Sequence, residues 1–116
     1  MKKAGDSMSG ILRGTTPDFI IKVNTDDFLV TDVTKLEVTI WNGTRQSIYG
    51  LEDVTVDSTE NSFWIHFTEA DTLALVSSKS LRWQMRCMFA DGNIVGTEES
   101  APISVSPLKS KEVMTT

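Results

Sequence analysis

The groups in this 116-residue chain that could do chemistry are sixteen carboxylates, one histidine and one cysteine. Four acidic pairs or near-pairs stand out: Asp26-Asp27, Glu52-Asp53, Glu69 with Asp71, and Glu98-Glu99. Two carboxyls flanking a glycosidic bond can hydrolyse it, and oxygens at regular spacing can hold calcium. None of these pairs follows the spacing of a calcium loop. Each falls in a predicted loop or at a strand end, where charge discourages edge pairing. His66, the only histidine, has no cysteine or second histidine at ligand spacing. A metal site needs three or four convergent ligands, and a hydrolytic triad needs nucleophile, base and orienter within hydrogen-bond reach. His66 therefore reads as a surface residue beside Trp64, and the sequence calls for no metal, no cofactor and no catalytic centre.

Cys87 alternates with polar neighbours in a way that points it inward, as an inert core thiol. A single cysteine excludes an internal disulfide, so the core must hold the domain. The seven glycines are scattered singly and form no phosphate-cradling loop. Asp91-Gly92-Asn93 sits between two apolar-alternating runs and reads as a hairpin turn rather than a ligand site.

The elements that would position these groups repeat with period two. In LRWQMRCMF, Leu81, Trp83, Met85, Cys87 and Phe89 alternate with Arg82, Gln84, Arg86 and Met88. Successive side chains of a strand face opposite ways, so this is a strand with one buried face. SFWIHF places Phe63, Ile65 and Phe67 inward, and KLEVTIW does the same with Leu36, Val38 and Ile40. FIIKV, DVTVD, PISVS and the weaker RQSIYGL supply further short strands, with IVGTE returning from the Asp91-Gly92 turn. Asn42-Gly43 predicts a type I′ hairpin turn. Pro102 and Pro107 mark the last strand as an edge, because proline cannot donate to a ladder. TEADTLALVSS is the one helical candidate: Thr68 with Asp71 resembles a capping box, and Leu73, Leu75 and Val76 would cap one end of the core.

The length allows one domain. We expect residues 11–108 to form a single immunoglobulin-like β-sandwich of seven to eight antiparallel strands with one short helical crossover. A small open barrel is the alternative. Residues 1–10 and 109–116 hold little that could be buried and are expected to be flexible. A net charge of −5 argues against nucleic acid as a partner. No segment approaches the roughly 18 apolar residues of a membrane span, and no apolar stretch of signal-peptide length follows the two N-terminal lysines.

Two of the three tryptophans raise a different possibility. Trp83 belongs to the inward set, whereas Trp41 and Trp64 alternate onto faces that should meet water. Outward tryptophan in a small acidic protein marks a contact surface. Trp41, Trp64 and the neighbouring His66 are thus the interface candidates, for a protein partner or for a stacked sugar.

The order of segments carries a resemblance. The chain opens with LRGTTPDFIIKV and continues through TKLEVTIWNG, LEDVTVD and SFWIHFTEADTLAL. It closes with LRWQMRCMFADGNIVGTEESAPISV and a polar tail. Over residues 12–106 this resembles small virion proteins of prophages and tailed phages of Gram-positive bacteria, and the N-terminal domain of their upper baseplate proteins. The shared features are the Arg13-Gly14-Thr15-Thr16-Pro17 start, a strand followed by TEADTLAL, and the QMRCMFADG strand returning as a hairpin. The resemblance implies a non-enzymatic virion structural or assembly protein, made in the bacterial cytoplasm. Its expected partners are other phage structural proteins and copies of itself. A carbohydrate-binding module is the alternative.

Overall fold

The computed structural model describes residues 10–97 and 103–106. The expected flexible ends, apart from Gly10, which opens the first strand, lie outside them, as do the Glu98-Glu99 pair and the two prolines flanking the last strand. Among the described residues, nine strands and one short α-helix run in the order β1 (Gly10–Leu12), β2 (Asp18–Lys22), β3 (Val33–Asn42), β4 (Arg45–Gly50), β5 (Thr55–Asp57), β6 (Ser62–His66), α1 (Glu69–Leu73), β7 (Leu81–Phe89), β8 (Ile94–Gly96) and β9 (Ser104–Ser106). They form an all-β two-sheet sandwich, as the alternation predicts. One sheet has the order β2-β6-β5 and the other β4-β3-β7-β8, and both are antiparallel.

One pair departs from that expectation. β1 and β9 are parallel, with Ile11 opposite Val105. Ile103 exchanges both backbone bonds with Leu81, so β9 continues along the edge of β7 that β8 occupies further on. Some 90 residues of intervening fold supply the crossover that parallel pairing requires.

The inward residues of both sheets meet in one core. Leu36, Val38, Ile40, Phe63, Ile65, Phe67, Trp83, Met85 and Cys87 are all buried in it; Phe89 is only partly covered and packs on its margin. Phe19, Ile21, Val23, Val30, Val33 and Leu81 complete the packing. Trp83, 4% exposed, lies edge-on to Phe19 with ring centroids 5.5 Å apart, a geometry that adds to area burial.

Three buried polar side chains tie the connections to this core. Asn42 Oδ1 accepts from Val76 N–H, and its amide donates to the carbonyls of Val76, Lys79 and Ser80. Asn61 accepts from Val30 N–H and donates to the carbonyls of Val23 and Phe28. Its φ of 48° is one that asparagine tolerates. Thr72 Oγ1 donates to Thr15 O and accepts from Thr15 N–H, joining α1 to the Arg13–Pro17 segment. Arg13 donates to Leu73 O in the same junction.

These bonds explain two further differences from expectation. The Asn42-Gly43 turn is not type I′: Asn42 still pairs with Arg45, so Gly43 and Thr44 are the central residues. Gly43 has φ +64° and Thr44 is not left-handed, the type II′ pattern with glycine first. Asn42 stays in the strand because its side chain is committed to the 76–80 loop. The capping box at Thr68 and Asp71 forms with both bonds. Yet Thr72 is the residue of α1 that is buried, Leu75 is half-buried and Val76 is 45% exposed. The helix caps the core through its hydroxyl as much as through its leucines.

The Asp91-Gly92 turn is the predicted device. Gly92 N–H donates to Phe89 O and Phe89 N–H donates to Asn93 O, while Asp91 Oδ1 accepts from Asn93 N–H. This is a three-residue hairpin loop with left-handed Gly92 (φ +85°). A Cβ at Gly92 would meet nothing within 4 Å, so any penalty there is one of backbone conformation. Gly92→Val should therefore destabilise by about 1–3 kcal/mol, and Gly92→Asn by clearly less, in denaturant melts. Equal penalties for the two would show that φ is not the cause. Trp83→Ala should cost about 3–5 kcal/mol; an unchanged melting temperature would place the β7 register wrongly.

Candidate interaction surface

Pairing register fixes which side chains share an outer face. On the three-stranded sheet, Ile20, Trp64 and Thr55 form one cross-strand row and Asp18 pairs with His66 in the next. On the four-stranded sheet, Gln46, Trp41 and Arg82 form one row, with Ile48, Thr39 and Gln84 beside it. Both sheets turn their other sides to the same core, so the two outer faces look in opposite directions. Trp64 and His66 are brought together, and Trp41 lies across the sandwich from them.

Neither outward tryptophan is fully exposed; each is half-buried by its own neighbours. The Trp64 indole covers Ser62, donating to its Oγ at 2.8 Å, and leaves that serine fully buried. Among the described residues, the most exposed large apolar side chains are instead Ile48 (57%) and Ile94 (55%), on the edge strands β4 and β8. Ile48 extends the Trp41 face through its pairing with Thr39. The sequence passes over Ile48 because RQSIYGL alternates weakly, and over Ile94 because β8 is only three residues long.

His66 is more than a surface residue beside an indole. Its Nδ1 meets Asp18 Oδ1, and its Nε2 lies 3.1 Å from Thr55 Oγ1. A carboxylate only accepts, so Nδ1–H donates to Asp18, and Nε2 is left to bond with the Thr55 hydroxyl. This is the connectivity of a hydrolytic triad, with threonine in the nucleophile's place. Its surroundings oppose that chemistry. The depression beside Thr55, about 380 Å³, is open and lined by Val56, Asp57, Ser58 and Trp64. A developing oxyanion there would meet the Asp57 carboxylate, where stabilisation requires aimed donors. What the network does is hold the imidazole in one orientation next to the indole, 6.4 Å between centroids. Asp18 lies 48 residues before His66, a distance that no spacing rule spans.

The acidic groups are occupied locally. Asp53 accepts from Gly50 N–H, Asp71 caps α1, and Asp57 accepts from the N–H groups of Thr59 and Glu60. Asp26 and Asp27 line an open groove with Val23, Phe28 and Met85. Among the described residues, no three ligating side chains converge as a metal ion would require. A cavity of about 30 Å³ beneath α1 is lined by Arg45, Tyr49, Asp71 and Leu75. Burial, with Asp71 adding, raises the Tyr49 phenol above its usual range. No family model, curated protein or solved structure matches this chain.

Cys87 is buried, and burial pushes its thiol up to about 11. Only the thiolate is nucleophilic, so native protein at pH 8 should react with a thiol reagent far more slowly than urea-unfolded protein. Matching rates would show that the β7 strand does not bury it. The unfolded thiol releases its proton near pH 9 while the folded one keeps it, so this group removes stability as pH rises from about 9 to about 11. Cys87→Ala should flatten that part of the pH–stability curve.

Proposed function

We propose that this protein is a non-enzymatic structural or assembly component of a phage or prophage virion, a part of the tail, baseplate or head–tail junction that acts through protein–protein contacts. The observation that carries the reading is the pair of outer sheet faces, each centred on a tryptophan. The Trp41 face is extended by exposed Ile48. Apolar groups set in a polar rim are what an interface buries. The resemblance of residues 12–106 to small virion proteins supports the same reading. Its two most distinctive segments, Arg13–Pro17 and the TEADTLAL stretch, are joined through Thr72 and Arg13, so they act as one structural unit.

The sandwich itself is immunoglobulin-like in this proposal. If β1 to β8 are lettered in chain order A, B, C, C′, D, E, F and G, the two sheets read B-E-D and C′-C-F-G. That order supports an immunoglobulin-type reading with an extra C′ strand, although β1 pairs with β9 instead of joining the B-E-D sheet. Such domains serve as adaptors presenting faces, edges and end loops.

Sugar binding is the second reading. Trp64 borders a depression carrying Thr55, Asp57 and Ser58, an aromatic platform with polar groups beside it. Trp41 cannot contribute to that platform from the opposite face. Particles induced from the strain that encodes this chain, banded on a density gradient, should contain it in stoichiometric amount. Recovery only in the soluble cell fraction would overturn the virion reading. Retention on cell-wall polysaccharide that Trp64→Ser abolishes would establish the sugar reading in its place.

A further inference from the structure

β4 is an outer strand of the four-stranded sheet, and its far side pairs with nothing among the described residues. Asn42 faces Arg45 across a two-residue turn, so Arg45, Ser47 and Tyr49 direct their backbone groups to β3. Gln46, Ile48 and Gly50 direct theirs away from the sheet. Gly50 confirms the parity, since its N–H donates to Asp53 Oδ2. Gln46 and Ile48 keep their outward N–H and C=O groups free among the described residues. Two other edge strands, β5 and β8, are only three residues long, which blunts an edge. β4 runs for six residues with no proline and no bulge, and its Ile48 is 57% exposed. Its two ends differ in charge. Arg45 stands at the start, where Lys79 Cγ lies 3.2 Å from the place of a Cβ on Gly43. At the finish the Glu52 carboxylate lies over Gly50 and Asp53 holds the Gly50 amide. All four charged residues are exposed. Asp71 lines the cavity shared by Arg45 and Tyr49 and favours neither end.

We propose that two copies of this chain pair edge to edge through β4, antiparallel about a two-fold axis at Ser47, so that their four-stranded sheets become one. The proposal rests on the reading of the protein as an assembly component and names one partner, a second copy. The free groups select the register. Centred on Ser47, Gln46 of each copy faces Ile48 of the other, and every free donor meets a free acceptor. Centring on Ile48 would set Gln46 against Gly50, whose N–H is already taken by Asp53. Centring on Gln46 would set Ile48 against Thr44, inside the turn. An extended peptide from another protein could meet the same backbone groups. A second β4 also matches the ends, because antiparallel pairing brings Arg45 and Lys79 of each copy to the Glu52–Asp53 end of the other. The two Ile48 side chains then lie diagonally on one continuous outer face, within contact range of each other. An isologous contact of this kind closes on itself, so the product is a dimer.

Sedimentation and a cross-link specific to the register test this. Wild type should be dimeric. Ile48→Pro removes an N–H that points away from β3, a place where an edge strand tolerates proline, so the sheet itself stays paired. It should weaken dimerisation by at least about tenfold, through the lost bonds. Ser47→Cys should form an intermolecular disulfide under mild oxidation, because facing residues of a non-hydrogen-bonded pair have Cα atoms about 4.5 Å apart. Thr44→Cys, far from the axis, should not. The native Cys87 is buried and takes no part. Arg45→Glu should also weaken the dimer, and Arg45→Glu with Glu52→Arg should restore it, a readout that stands even if Ile48→Pro does not fold by circular dichroism. The pairing is wrong if wild type is monomeric at every concentration, or if folded Ile48→Pro dimerises like wild type. It is equally wrong if Thr44→Cys cross-links as readily as Ser47→Cys, or if the paired charge reversal restores nothing. Recovery of the chain in gradient-banded particles is independent of these outcomes, so the assembly reading can stand when edge pairing fails.

Discussion

The structure depends first on the register between β3 and β7. Side chains alternate with a period of two, so a one-residue slip along this ladder would turn every inward residue outward. Val38 opposite Met85, Leu36 opposite Cys87 and Ile40 opposite Trp83 set the core. The same register sets Trp41 opposite Arg82 and Glu37 opposite Arg86 on the outer face. Packing and surface chemistry are thus two sides of one constraint. A bulge between Val33 and Lys35 ends the regular ladder where the chain enters it.

What holds the remaining elements to this ladder is polar and buried. Asn42, Asn61 and Thr72 each satisfy groups that would otherwise lose their hydrogen bonds to water inside the fold, a loss costing roughly 1–3 kcal/mol per group. Asn61 gathers the 23–30 connection, Asn42 the 76–80 connection, and Thr72 the Arg13–Pro17 entry. These junctions leave little apolar signal. They explain why a chain without a disulfide can carry several irregular connections across the ends of its sheets.

That division also explains what the sequence discloses. The strands were legible because long alternating runs such as Leu81–Phe89 have only one amphipathic solution. The helix cap was legible because Thr68 and Asp71 are neighbours. Contacts that bridge distant segments were not. Asn42-Gly43 predicts the wrong turn type because the competing partners of Asn42 lie 34 or more residues away. The parallel β1–β9 pair, the burial of Thr72 and the Asp18–His66–Thr55 network share that cause. Of the interface candidates, the outward placement of Trp41, Trp64 and His66 follows from alternation. Their separation onto opposite faces requires knowing which strand joins which sheet, and their partial cover requires knowing what flanks them.

The central claim is that both outer faces are covered by protein in the working state. Hydroxyl-radical footprinting of the free chain and of gradient-banded particles reads this at each tryptophan separately. Trp83, buried in the core, should oxidise slowly in both and serves as the internal reference. Trp41 and Trp64 should both lose reactivity in the particle, where the proposed contacts would cover their faces. Unchanged oxidation of Trp41 and Trp64 from free chain to particle, with Trp83 protected throughout, would contradict the account.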